Sequence, residues 1–513
     1  MPADRKPNKA IPKAKETLPP PPLTADEIWQ RYGFWGILAI CSADILWAIW
    51  GSRYFILQDL PDHIARASIL KDFWFSPYIR HYFRLAPFPV PYIACDIFNA
   101  ALLSVFDSYA VIKIFETVSA LVLIGGVGYF IRRTERSQPE LMLFPFAILW
   151  ANIFLKGNLN FIVGVGALFL ILGIWWPVRW NCSRRREAVL ALGGVLLYGI
   201  HLIAIFMLLF IAGISFLLHC AKTKTFEYKK LWPALPALAI IAAYFAWNGS
   251  GGETAGPVRA TLPVASGYFL EKYHSLGSFF NVLTSSDWHL FIPLMALLFI
   301  GVFVSLRRSI ASEESIVFLA LCGMFLLAPK ELHGMVIRPD ERILFILFLW
   351  GLSLVRFPQR GIVWFRWSWI LIILATGVIQ SAKIKHAFRE WDAESTPYVT
   401  LMQQVPPHSL VCDLVYFERH TFMHFYKLLI SEKQDVVPGM FDEKNDCIRY
   451  RRPLPNPPVN PIVTDSLLGI YDYFIAHGMS EQIVQVVEKR KLSVVWCTEE
   501  IALLKSNVKK PEE

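Results

Sequence analysis

The sequence predicts an α-helical polytopic membrane protein with about eleven transmembrane helices and a small C-terminal α/β domain. Of the 513 residues, 55% are hydrophobic and 18% are charged, and the mean hydropathy is +0.43. A soluble domain is more polar, with about a quarter of its residues charged. Apolar runs of about 15–22 residues recur between Trp35 and Ile379, and a run of this length spans a bilayer as a helix. From residue 382 onward the charge rises and short β-like runs replace the apolar ones.

The chain begins with a segment that is predicted to be disordered and cytoplasmic, residues 1–33, because it is rich in Lys and Pro. The first apolar stretch, Trp35–Ile56, is too long for a cleavable signal peptide and is interpreted as a signal anchor. Residues 34–381 are then the transmembrane domain, in which residues 56–108 form the first outer loop.

Basic clusters between the apolar runs predict the topology, because short cytoplasmic loops carry an excess of Lys and Arg. The clusters are the N-terminal lysines, Arg132–Arg136, Arg179–Arg186, Lys222–Lys230, Arg307–Arg308 and Arg356–Arg366. An even number of spans must separate successive clusters. This parity places the C-terminal domain, residues 382–513, outside the cytoplasm. Because the Lys and Arg residues fall in these short loops, the formal net charge of +9 does not indicate a nucleic-acid partner.

Residues 188–219 are almost wholly apolar and have basic flanks on both sides. One helix of this length would run about 48 Å, whereas a bilayer core is about 30 Å thick. We therefore predict two short helices that turn at Tyr198–His201. A single tilted helix remains the alternative, and it would reverse the predicted membrane side of every later loop and of the C-terminal domain.

The C-terminal domain is predicted from short runs of strand-forming residues with one helical stretch between the last two. The expected strands are Ser409–Tyr416, Gly469–Ala476 and Leu492–Cys497, and the expected helix is Ser480–Arg490. No C-x-x-C spacing occurs, so the cysteines indicate no zinc site. A disulfide bond among Cys412, Cys447 and Cys497 stays open if this domain lies outside the cytoplasm.

The segment that follows the first span carries four chemically active side chains within eight positions: Asp59, Asp62, His63 and Arg66. Pro61 favours an extended residue before it, so a helix is expected to start near Asp62 and to place Asp62 and Arg66 on one face. Asp59 would precede that helix and point into a cavity. The competing interpretation is an interfacial helix with a surface salt bridge.

Further polar residues fall in segments that the parity places on the same outer side. They are Asn158, Asn160, His201, Asp287, His289, Lys330, His333, Arg338, Asp340 and Arg342. Ionisable groups at membrane depth are costly and usually mark a functional site. Their shared side therefore predicts one polar site at the outer end of the bundle.

These segments carry a resemblance to a known superfamily. The stretches Asp59–Arg66, Gly157–Gly164, Tyr198–His201 and Pro339–Arg342 resemble bacterial membrane proteins grouped with the GT-C superfamily of polytopic glycosyltransferases. Protein O-mannosyltransferases and aminoarabinose transferases of lipid A belong to it. The resemblance implies a GT-C-like bundle in the bacterial inner membrane, a polyprenyl-phosphate-linked sugar as donor, and an outer-face acceptor whose identity stays unknown.

The resemblance also implies roles for the candidate residues. Asp59 corresponds to the acidic position of the first loop and is expected to be the general base, with Asp62 or His63 in support. Arg338 and Arg342 are candidate phosphate clamps, since a guanidinium group matches phosphate oxygens in a fork. The other expected substrate-binding residues are Arg66, Asn158, Asn160, His201, Lys330 and His333. Direct displacement would invert the anomeric carbon.

The first loop also departs from the superfamily pattern. It has Asp-x-x-Asp where a metal-dependent enzyme would carry Asp-Glu or Asp-x-Asp, which argues against a divalent metal ion without excluding one. A transporter or lipid flippase is the alternative function, and a membrane scaffold is another. A transporter predicts broken helices in matching positions of two halves, and the sequence has no such pairing.

Overall fold

The computed structural model describes residues 33–508 apart from several short segments. These gaps are 55–56, 87–89, 135–137, 182, 250–259, 262–267, 281–282, 284–286, 330, 333–335, 357–361, 417–424, 440–447, 453 and 459–460. Two candidate site residues, Lys330 and His333, therefore lie outside the described residues, as do Cys447 and most of the predicted N-terminal segment.

Helices dominate the described part of the chain. In chain order they are α1 (Phe34–Trp50), α2 (Leu60–Asp72), α3 (Pro77–Tyr82), α4 (Ile93–Leu103), α5 (Ser108–Arg133), α6 (Phe144–Ile148), α7 (Asn152–Leu155), α8 (Leu159–Trp175), α9 (Arg184–Ile200), α10 (Leu202–Thr223), α11 (Leu235–Gly249), α12 (Tyr268–Phe280), α13 (Ile292–Ser309), α14 (Glu313–Leu327), α15 (Pro339–Gly351), α16 (Ile362–Gln404), α17 (Leu428–Lys433), α18 (Asp465–Ile470) and α19 (Glu481–Glu488).

The strands are short. In chain order they are β1 (Phe83–Leu85), β2 (Ala260–Thr261), β3 (Glu331–Leu332), β4 (Val336–Ile337), β5 (Val411–Val415), β6 (Ile448–Tyr450), β7 (Tyr473–His477), β8 (Leu492–Cys497) and β9 (Ile501–Ser506).

Within the described residues, five helical segments are long and apolar enough to cross a membrane. They are Ser108–Arg133, Leu159–Val178, Leu202–Thr223, Asp287–Ser309 and Trp364–Gln404. The other apolar helices of the bundle are shorter, including α1 and α4. A polytopic helical membrane protein is thus the observed architecture, and the number of about eleven spans stays a prediction.

The segment 188–219 forms two helices rather than one. The chain leaves the helical conformation at His201, where φ is −160° and ψ is 125°. The ring of Trp180, just before α9, stacks on the ring of His219, near the end of α10, with centroids 4.0 Å apart. In a straight helix, these ends would be separated by about 1.5 Å for every intervening residue. The chain therefore turns back at His201, as the sequence predicted.

Three arginines of the basic clusters, Arg132, Arg179 and Arg366, contact residues at helix ends. Arg179 pairs with Glu313 at the start of α14, and the Arg366 Nε lies 2.7 Å from Glu140 Oε1. The Arg132 guanidinium lies 5.9 Å from the ring centroid of Trp35. These contacts join α5 to the start of α1, the segment after α8 to the start of α14, and the segment after α5 to the start of α16, which agrees with the parity drawn from the basic loops.

Close packing of α5 against α8 fixes the middle of the bundle. A Cβ at Gly126 would lie 1.9 Å from the carbonyl oxygen of Gly166, so the two backbones touch directly. Only glycine permits such an approach. Because α8 begins at Leu159, this contact also constrains the end of α8 next to Asn158.

The last long helix differs from expectation. It was expected to end near Ile379, but α16 continues to Gln404 without interruption. The extension is amphipathic: Ile384, Phe388 and Leu401 are fully buried, while intervening positions are exposed. Helical periodicity of this kind favours continuation of the helix after it leaves the apolar segment.

The C-terminal domain contains a four-stranded mixed sheet in the order β5-β7-β9-β8. Strands β5 and β7 are parallel, and β9 runs antiparallel to both β7 and β8. The three expected strands and the expected helix are present, although β7 starts later than predicted, at Tyr473, because α18 occupies residues 465–470. Strand β9 was not predicted. Cys412 is buried and Cys497 is exposed, and both are free thiols.

This domain packs on the loop segment between α1 and α5. Strand β1 of the loop pairs antiparallel with β6 of the domain, with Phe83 opposite Tyr450. The Ser108 and Ser431 hydroxyls are hydrogen bonded at 2.6 Å, and α17 packs against α2. The domain is therefore joined to the segment that carries the acidic residues.

Candidate functional site

Asp59 lies immediately before α2, as the sequence predicted. The helix begins at Leu60, two residues earlier than expected, because Pro61 is tolerated in a first helical turn where its missing N–H has no partner to lose. The Asp59 backbone N–H donates to the Lys156 carbonyl at 3.1 Å. The loop before α8 therefore holds the backbone of Asp59 in place.

The charges around Asp59 are mixed. Burial, above all, and neighbouring Asp62 raise the pKa of Asp59, whereas the cations Lys427, Arg342 and Lys156 lower it, and the net result is a pKa of about 7. A carboxyl group with this pKa is partly protonated near neutral pH. Such tuning is typical of a general base.

Asp62 and Arg66 each pair with a residue from outside α2, in addition to sharing the helix that their spacing predicted. Asp62 Oδ1 lies 3.0 Å from Lys427 Nζ, and both side chains are 0% exposed. Arg66 pairs with Asp96 of α4 at 3.2 Å. The two residues face different neighbours, the C-terminal domain and α4, and these buried contacts outweigh a local pair on the helix surface.

His63 is half-buried on the first turn of α2. Its Nδ1 lies 2.7 Å from an Arg66 guanidinium nitrogen, so Nδ1 accepts a hydrogen bond and the ring proton resides on Nε2. His63 thus belongs to the Arg66–Asp96 group as well as to the segment after Asp59.

Arg342 provides the cation nearest to the acidic segment among the predicted clamp residues. It is half-buried on the first turn of α15, donates to Asn158 Oδ1 at 2.8 Å, and lowers the pKa of Asp59. The structure therefore brings together Asp59, Asn158 and Arg342, which are far apart in the sequence.

Arg338 lies one turn away and is bound to different partners. It pairs with Glu341 and donates to Ser278 Oγ at 3.1 Å. Its backbone is left-handed, with φ of 51°, which costs energy for a residue other than glycine. Lys156 Nζ lies 3.9 Å from Glu341 Oε2, so Lys156 and Arg338 share one carboxylate.

Two other candidates, His201 and Asn160, differ in their contacts. His201 caps α10, where its Nδ1 accepts from the Ile203 backbone N–H at 3.2 Å, and its ring packs on Tyr92 and Phe161. Asn160 is buried on the first turn of α8, and its Oδ1 has no hydrogen-bond partner among the described residues. His201 therefore holds the turn, while Asn160 retains an unused acceptor.

Sequence reasoning missed Lys156, Glu341 and Lys427 as site residues. The parity of the basic clusters predicts that Lys156 stands alone in an outward turn, where the positive-inside rule disfavours lysine, so the sequence did contain a signal for it. Nothing in the sequence around Lys427 indicates that it reaches α2. Asp287 and Asp340, noted from the sequence, instead pair with Lys383 and Lys272.

In the part of the chain that the structure describes, no group of three or more His, Cys, Asp or Glu side chains is placed to hold a metal ion. The site consists instead of carboxylates and cations in direct contact. Arginine and lysine serve where an anionic oxygen must be bound.

The chain is similar to solved structures of ArnT from Cupriavidus metallidurans. The apo structure has a TM-score of 0.56 at 12% identity, covering 92% of this chain and 97% of the ArnT chain. The structure bound to undecaprenyl phosphate has a TM-score of 0.54 at 13% identity over the same shares. The chain has the GT-C fold. No protein-family model and no curated protein sequence matches it.

The GT-C fold confirms the architecture that the sequence motifs implied, namely a helical membrane bundle with a small C-terminal domain. The similarity extends over 92% of the chain. At 12% identity it establishes the fold, and the site chemistry has to be argued from the residues of this chain.

Gly157 is expected to be indispensable to the geometry of the site. Its φ is +81°, and a Cβ there would lie 2.9 Å from the Asp59 nitrogen and 3.1 Å from the Leu60 nitrogen. Gly157→Ala should displace Asp59 and destabilise the fold by about 1–3 kcal/mol. Thermal unfolding in detergent checks this, with Gly125→Ala as control because a Cβ at Gly125 meets nothing within 4 Å. Equal stability of the two variants would contradict the expectation.

Proposed function

We propose that this protein is a glycosyltransferase that moves a sugar from a polyprenyl-phosphate donor to an acceptor on the extracytoplasmic face. The observation that carries the proposal is the position of Asp59 in a GT-C fold. It is a carboxyl group with a pKa near 7, next to the cations Arg342 and Lys156. A base beside fixed cations is what this reaction requires.

The reaction divides between these groups. Asp59 removes the proton from an acceptor hydroxyl while the oxygen of that hydroxyl attacks the anomeric carbon of the sugar. The bond between that carbon and the phosphate oxygen breaks, and the polyprenyl phosphate departs with the electron pair. Attack opposite to the leaving group inverts the anomeric configuration.

The cations stabilise the leaving group, the lipid phosphate. Arg342 is held by Asn158 and Lys156 by Glu341, so their positive charges are fixed before a substrate arrives. Preorganised charge stabilises the developing lipid phosphate without reorganisation during the reaction. The undecaprenyl phosphate in the similar ArnT structure supports a lipid phosphate as a ligand of this protein.

Transfer and transport predict different products. Reconstituted protein should convert a synthetic polyprenyl-phosphate sugar into free polyprenyl phosphate and a glycosylated acceptor, supplied as a mixture of envelope lipids and glycans. Chromatography of the lipid fraction detects the released phosphate. Movement of intact donor across the bilayer with no release would instead establish the flippase alternative and contradict the proposal.

The proposed orientation in the bacterial inner membrane is testable with native cysteines. Cys497 of β8 is exposed, and Cys220 lies near the end of α10 that carries the basic cluster. In single-cysteine variants, a membrane-impermeant maleimide should label Cys497 in intact spheroplasts and Cys220 only after permeabilisation. The reverse labelling pattern would place the C-terminal domain in the cytoplasm and contradict the orientation.

A further inference from the structure

The C-terminal domain reaches the candidate site through one buried cation. Lys427 ends the short helical turn Phe425–Lys427, and its Nζ lies 3.0 Å from Asp62 Oδ1. The same nitrogen donates to the Gly439 carbonyl at 2.6 Å, which fixes it within its own domain. Asp62 follows Asp59 by three residues. A charge from the domain therefore lies one helical turn from the proposed base.

Polar contacts around this pair hold the domain on the same part of the first outer loop. The Gln434 amide nitrogen donates to Asp72 Oδ2 at 3.3 Å, at the far end of α2. Ser76 donates to the Gln434 side-chain oxygen at 3.1 Å. The domain thus contacts α2 at both its beginning and its end, and Lys427 provides the contact at the end that carries Asp59.

We infer that Lys427 is a positioning residue, contributed by the C-terminal domain, that holds Asp62 and thereby the start of α2 that carries Asp59. The inference rests on the proposed transferase function. Removing one partner of a fully buried ion pair leaves an uncompensated charge, which is strongly unfavourable. Without Lys427, that charge would be the carboxylate of Asp62, directly beside Asp59.

The electrostatic effects of the pair on Asp59 have opposite signs. Asp62 raises the pKa of Asp59 and Lys427 lowers it, while Arg342 and Lys156 also lower it. Tyr426, the neighbour of Lys427, also faces Asp62. A pair that served only to hold the fold together would make both single substitutions damaging in the same way. A positioning role predicts that they shift the pH dependence in opposite directions.

The first test is the pH dependence of kcat/KM for sugar transfer. Lys427→Met should move the acidic limb upward by about one pH unit, and Asp62→Asn should move it downward by a similar amount. The double variant D62N/K427M should lie between them and recover stability that K427M loses. Lys427→Arg keeps the charge and should keep the wild-type profile. Shifts in the same direction, or no shift, would overturn the inference.

A second measurement does not require transfer activity. In a chain whose eight native cysteines are replaced by Ser and which carries Asp59→Cys, the rate of maleimide reaction against pH reports the pKa of the new thiol. Adding Lys427→Met should raise that pKa, and adding Asp62→Asn should lower it. An unchanged thiol pKa in both backgrounds would overturn the inference. If the wild type transfers no sugar while these thiol shifts appear, the transferase proposal fails and the electrostatic link stands.

Discussion

Asp59→Asn is expected to lower the rate of sugar transfer by about 10²–10⁴-fold, the usual contribution of a positioned general base. Asparagine keeps the shape of the side chain but cannot accept the acceptor proton. The backbone hydrogen bond from residue 59 to Lys156 does not involve the side chain and should survive. The measurement is the initial rate of release of polyprenyl phosphate from a saturating donor.

The pH dependence separates a base from a residue that merely shapes the site. The pKa of Asp59 is raised to about 7, so the ionised, active form is lost as the pH falls below this value. In the wild type, kcat/KM should therefore decrease about tenfold per pH unit below pH 7, since it reports the ionisation of the free enzyme. Asp59→Asn should retain a low rate without this limb.

A matched control is Asp72→Asn, at the other end of α2. Asp72 contacts Gln434 of the C-terminal domain but lies more than three helical turns from Asp59 along α2. It should leave the acidic limb in place. A wild-type rate in Asp59→Asn, with the fold intact, would remove Asp59 from the chemistry.

The gathering of Asp59, Asn158 and Arg342 could be anticipated from the sequence because topology alone determines it. Each follows or precedes an apolar run on the side opposite to the basic clusters, and helices in a bundle bring such ends together. The reversal at His201 was predictable for the same reason, since a bilayer limits the length of a spanning helix. These features depend on the membrane, which acts uniformly along the chain.

The ion-pair partners of Asp62 and Arg66 could not be predicted in the same way. The spacing of Asp62 and Arg66 fits an ion pair on a helix surface, but such a pair contributes only about 0.3–0.5 kcal/mol. Contacts with Lys427 and Asp96 decide the outcome, and these residues are 365 and 30 positions away from their partners. No local pattern encodes them.

The continuation of α16 could be predicted from the sequence, but from its helical periodicity and not from the length of its apolar run. Ile384, Phe388 and Leu401 mark one helical face after the apolar segment has ended. Gly157 is a mixed case. It belongs to a motif noted from the sequence, yet its positive φ and its contact with the Asp59 nitrogen follow only from the tertiary fold.

Arg342→Gln is expected to have the second largest effect, a loss of about 10²–10³-fold in kcat, corresponding to one preorganised donor for the departing oxyanion. Arg342→Lys should restore only part of the rate, because an ammonium group cannot match two phosphate oxygens in a fork. Asn158→Ala keeps the guanidinium but removes its 2.8 Å hydrogen bond, so its loss should be smaller. Rates at saturating donor, with unfolding temperatures measured in parallel, test this order.

The substitution at Arg342 has a second consequence that must be separated from the first. Arg342 lowers the pKa of Asp59, so its removal should raise that pKa and move the acidic limb upward. At pH 9, Asp59 is ionised in both proteins, and the loss that remains there belongs to the leaving group alone. Arg338→Gln is the matched comparison, because Arg338 is 37% exposed and shares Glu341 with Lys156. If Arg342→Gln recovered the full wild-type rate at pH 9, Arg342 would act only through Asp59, and the phosphate would have to be bound by Lys156 or Arg338.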